Sequence, residues 1–94
     1  MSVQHEEALV TAAHVVHDQV WARHWHEGET DLRATQVIEY VRRVRTTAKC
    51  SEAQMPHELQ KLMTRARESR EANVKISLAD LIVALKSIIL PTAG

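Results

Sequence analysis

Phenylalanine is absent from this chain, and glycine and proline occur only twice each. Two Trp and one Tyr make up the aromatic complement. With so few aromatic and β-branched runs and so few glycines for turns, a sheet has little to be built from. One cysteine, Cys50, excludes an intrachain disulfide, and a lone thiol fits a reducing compartment better than a secreted one. The longest apolar stretch, through Ile82 to Leu85, stops at Lys86, far short of the roughly 20 residues a membrane-spanning helix needs. The opening residues, Met1 to Glu7, are acidic and lack the apolar segment of a signal peptide. Neither sign of charge prevails: 12 Lys and Arg balance 12 Asp and Glu. These absences predict one cytoplasmic domain over residues 1–94, without membrane or cofactor.

What is present favours helix. Ala, Leu, Glu, Arg and Gln are abundant, and all are strong helix formers. The first helix is expected from Ser2, a plausible N-cap, to about His26, with Glu6 and Glu7 where the helix dipole favours acids. Leu9, Ala13, Val16 and Val20 form its apolar stripe, and Gly28 ends it. The second helix is expected to open at Thr30 or Asp31, with Ala34, Val37, Ile38, Val41, Val44 and Ala48 on one side.

Pro56 opens the third helix, since its missing N–H costs nothing in a first turn. Leu59, Leu62, Met63 and Ala66 are its buried stripe, after which Arg67 to Glu71 is a solvated face with Arg67 and Glu71 paired four apart. The fourth begins at Ser77, with Asp80 placed for a capping box, and runs through Leu78, Leu81, Ile82, Leu85, Ile88 and Ile89 to a stop before Pro91. Val83, Ala84 and Leu90 add apolar surface off that stripe. A helix apolar around most of its circumference must be covered on most sides. A chain this short buries only about 60–65% of its unfolded surface, so a second subunit is the natural support. The fold class is therefore all-α, a small bundle of about four helices, expected to be homodimeric, with helix four at its centre or at the dimer seam.

Charge is unevenly spread. Residues 1–31 carry six acids and one base, whereas 32–49 carry one acid and five bases. An acidic first helix beside a basic second one means, most simply, two neighbours that attract each other. Arg42, Arg43, Arg45 and Lys49 are also the candidate grip on phosphates. Against a nucleic-acid role, no Gly-rich turn leads into a basic recognition helix, and the net charge is zero.

Five of the six histidines fall in the first 26 residues. His14, His17 and Asp18 share a helix face and are candidate ligands for Zn²⁺ or Ni²⁺, but no second ligand pair has a recognisable spacing. Trp21 and Trp25 flank the apolar face rather than filling its centre. Tryptophan at such an edge is a favoured interface anchor, since it buries a large area and keeps a donor for its partner. The competing reading makes the pair a roof over the domain's own core. Enzymatic chemistry has no support: no nucleophile sits in a recognisable elbow, there is no phosphate loop, and core positions are apolar. Lys49 beside Cys50 would lower that thiol's pKa, against the simpler reading of a structural or incidental cysteine. The function expected is binding of a partner protein, and of a second copy, through Trp21, Trp25 and His17 and through Leu81, Leu85 and Ile88.

The closing pattern Leu78, Leu81, Ile82, Leu85 and Ile88 before Pro91, after a helix opened by Pro56, is similar to the end of TraM-type quorum-sensing antiactivators. The likeness is confined to the part of the chain beyond Pro56. It implies a functional class: small, helical, dimeric proteins that sequester a transcription regulator.

Overall fold

The computed structural model describes the backbone of residues 3–89 and the side chains of residues 7–88. Ser2, Leu90 and Pro91, expected to bound the first and last helices, lie outside the described residues. Four helices carry the fold: α1 (Val3–Glu27), α2 (Ala34–Ala48), α3 (His57–Ala72) and α4 (Leu78–Ile89). A one-turn 3₁₀ helix, Glu52–Gln54, precedes α3. The radius of gyration is 12.8 Å, close to the ~12 Å of a compact chain of this length.

One feature differs from the all-helical expectation. Asp31–Arg33 (β1) and Lys75–Ser77 (β2) form a two-stranded antiparallel sheet, with Asp31 opposite Ser77, Leu32 opposite Ile76 and Arg33 opposite Lys75. The pleat explains why three residues suffice: Leu32 and Ile76 point into the core while Asp31, Arg33 and Lys75 stay exposed. The Leu78 N–H donates to the Thr30 carbonyl at 2.8 Å, extending the tie to the start of α4. Helix α2 consequently opens at Ala34, not at Thr30 or Asp31. Gln36 accepts the Arg33 backbone N–H at 2.9 Å and so closes that helix start.

Helix ends follow local chemistry. Gly28, at φ 71°, turns the chain after α1; its N–H reaches the Trp25 carbonyl and that of Glu29 the His24 carbonyl, at 3.2 and 3.1 Å. Lys49 and Asn73 take the same left-handed conformation after α2 and α3. Pro56 stands just before α3, one position earlier than expected. At α4 the Ser77 hydroxyl accepts the Ala79 N–H at 3.2 Å. Asp80, expected in a capping box, pairs instead with Arg65 of α3 at 3.2 Å. Arg67 likewise pairs with Glu52, at 2.8 Å, and not with Glu71.

The core is continuous across all four helices. Leu9, Ala13, Val16 and Val20 meet Val37, Val41 and Val44 of α2, Leu59 and Leu62 of α3, and Leu81 and Leu85 of α4 in one buried cluster. Helix α4 packs against α1, α3 and β2. Its apolar circumference is covered by the chain itself: Leu78, Leu81, Ile82, Ala84, Leu85 and Ile88 are buried, and Val83 is the one large apolar side chain described on the helix that is exposed, at 63%. Helices α1 and α3 supply most of that cover and β2 adjoins its start, so helix four does not by itself call for a second subunit.

Candidate functional site

Two groupings of side chains on α1 stand out, one facing solvent and one facing inward. On the outer side, His17, Trp21 and Trp25 succeed one another four apart and therefore climb one ridge of the helix. The indoles of Trp21 and Trp25 stack with centroids 4.9 Å apart and planes 11° from parallel, and the His17 ring continues the stack at 6.3 Å. Trp21 is 42% exposed and Trp25 65%. The core-roof reading thus holds for neither ring in full, and least for Trp25. His17 is turned inward: its Nδ1 lies 3.5 Å from Asp18, and its Nε2 is buried with no hydrogen-bond partner among the described residues.

Leu81, Leu85 and Ile88, the expected docking residues of helix four, are core side chains and offer no free surface in the folded chain. His14, His17 and Asp18 do not converge as ligands. His14 and Asp18 face solvent, whereas the His17 ring is committed to the stack on Trp21.

The inward grouping was not singled out from the sequence. His24 is 1% exposed, the one buried polar or charged residue among those described. Its Nε2 lies 2.9 Å from the Tyr40 hydroxyl, edge-on to that ring, and its Nδ1 lies 3.2 Å from Glu29 and 3.8 Å from Glu27. The turn at Gly28 makes this possible, because it folds Glu29 back over the end of the helix that carries His24 and Glu27. A sequence signal existed: His24 falls four residues after Val20 and so continues the buried stripe Ala13, Val16, Val20. Burial pushes the Tyr40 phenol above its ordinary 10.0, opposed by nearby Arg23.

Beside this cluster lies an open cleft of about 560 Å³, whose rim mixes Arg23, Arg33 and Lys75 with Glu27, Glu29 and Asp31. The basic residues of α2 are partly spoken for. Arg43 is bound to Glu39 at 2.9 Å and to Gln19 of α1 at 3.2 Å, whereas Arg42 and Lys49 are exposed and Arg45 is half-buried. Among the described residues no ion pair joins an acid of α1 to a base of α2, so the expected attraction between the two helices is diffuse. Glu52 carries the local acid response: the hydrogen bond from Arg67 holds its carboxyl below its ordinary value.

Cys50 follows the structural reading rather than the reactive one. The side chain is buried, and desolvation raises the thiol pKa above its ordinary 9.0 despite the opposing field of Arg45. A folded state that holds this proton more tightly than the unfolded chain loses stability as pH rises above about 9. Alkylation by iodoacetamide at pH 8, followed by mass spectrometry, is expected to run at least ~10-fold slower in the native chain than in denaturant. Equal rates would place the thiol at the surface.

No protein-family model, no curated protein and no solved structure matches the chain.

Proposed function

We propose that this chain is a non-enzymatic protein-interaction module, of regulator or adaptor type, that docks a protein partner and associates with a second copy through the stacked Trp21–Trp25 face of α1. The observation that supports this reading is the pair of indoles held parallel and largely in water. Their exposed rings amount to on the order of 200 Å², and covering them is worth about 5 kcal/mol at ~25 cal/mol per Å². The stack also fixes both rings before binding, which lowers the ordering cost of association.

Light scattering after gel filtration at micromolar concentration tests the self-association. The native chain is expected to run as a dimer, and Trp25→Ala as a folded monomer whose melting temperature falls only by the few degrees that lost association removes. Binding to a captured partner is expected to weaken by about 2 kcal/mol, roughly 30-fold, in the same variant. A native monomer of 10.7 kDa would remove the homodimer. A Trp25→Ala chain that melts far below the native one would make the ring part of the core and end the docking assignment.

A further inference from the structure

We propose that His24, Glu27 and Glu29 form a binding site for one divalent transition-metal ion of the Zn²⁺ class, independent of the Trp21–Trp25 face. One ligand atom from each of the three residues lies within 4.8 Å of the other two, and this is the one such group of three among the described residues. Two atoms each bound ~2.1 Å from a shared ion stand about 3.0–3.5 Å apart. The observed separations, 3.2 Å from His24 Nδ1 to Glu29 Oε2 and 3.8 Å to Glu27 Oε2, need little adjustment to meet that spacing.

The imidazole is what raises this above a surface pair of acids. His24 is almost wholly buried, and its far nitrogen is engaged by the Tyr40 hydroxyl. A hydrogen bond to the far nitrogen is the arrangement that orients metal-bound histidines. The near nitrogen faces two carboxylates at once. A single N–H is satisfied by Glu29 alone; the second carboxylate then adds negative charge at the carboxyl end of α1, where the helix dipole is already negative. A cation placed among the three atoms relieves that repulsion, and it leaves its remaining coordination positions open to the adjoining cleft.

Arg23 is the competing cation, but it reaches only the other oxygen of Glu27, at 3.8 Å. Arg33 and Lys75 stand on the cleft rim. One nitrogen and two carboxylate oxygens suit Zn²⁺ or Mn²⁺ better than Mg²⁺, which keeps oxygen ligands and its own waters. The placement also explains why His14 and His17 do not serve, since neither is backed by a fixed partner and two carboxylates.

The test uses the full chain, stripped of metal and titrated with Zn²⁺, read by calorimetry and by melting temperature. One equivalent is expected to bind and to raise the melting temperature, and Mg²⁺ at the same concentration to do neither. Glu27→Gln with Glu29→Gln, at two half-exposed positions, is expected to weaken Zn²⁺ binding at least tenfold while the metal-free melt stays within a few degrees. His14→Ala with Asp18→Asn is expected to leave binding unchanged. Should the double Gln variant not fold, imidazole NMR of the native chain decides the matter, because Zn²⁺ must shift the His24 ring signals first. The proposal is overturned by no binding, by full affinity in the double Gln variant, by loss of binding in the His14/Asp18 variant, or by an unmoved His24 ring.

Discussion

Leu85→Asp is expected to leave no folded population at 25 °C: an unfolded or aggregated chain by far-UV circular dichroism. Leu85 is completely buried in the cluster shared by all four helices. Removing its side chain forfeits about 2–3 kcal/mol of burial, and an unpaired carboxylate adds several more. A domain of this length has about 5–10 kcal/mol in total. Val83→Asp, only two residues earlier, is expected to stay within about 0.5 kcal/mol of the native chain, since Val83 is largely exposed. The contrast probes the direction in which α4 faces. A folded, soluble Leu85→Asp would mean that this face is not the core.

His24→Ala carries the second largest expected loss, about 3 kcal/mol by urea denaturation with an unchanged m-value. Two costs combine. The imidazole leaves a cavity beneath the end of α1, and the enclosed Tyr40 hydroxyl loses its partner at 2.9 Å. Tyr40→Phe isolates the second effect and is expected to cost about 1–2 kcal/mol, because His24 Nε2 is then left unpaired. In a double-mutant cycle the two changes are expected to be non-additive by at least ~1 kcal/mol. Strict additivity would show that the two rings are merely neighbours.

How far the sequence could be read depended on the length over which a signal repeats. The stripes of α2 and α3 recur over several turns, and every apolar residue expected on those faces is buried. The strands β1 and β2 are three residues each, with one buried side chain apiece, and present no alternation to detect. Helix four carries more apolar residues than one stripe needs, and only the placement of α1 and α3 around it decides that Leu81, Leu85 and Ile88 face inward. The outer face of α1 was legible for a different reason: Trp21 and Trp25 depart from the apolar stripe, and their position at its edge follows from helical spacing alone. His24 was hidden because the eye follows hydrophobic residues along a stripe and stops where a polar one continues it. Its partners could not have been found at all, since Tyr40 comes from the next helix and Glu29 arrives through a chain reversal.

The Trp21–Trp25 stack also decides what light reports about this molecule. Both indoles of the chain lie on that outer ridge, while Tyr40 is the one aromatic ring of the buried cluster. Intrinsic fluorescence excited at the indole band is therefore blind to core packing and sensitive to anything that settles on α1. Fraying of that helix end would shift the emission while the bundle beneath it remained whole. Fluorescence and far-ultraviolet dichroism would then trace different melting curves, a departure from two-state behaviour confined to that helix end, and the same property makes the native protein its own unlabelled binding sensor.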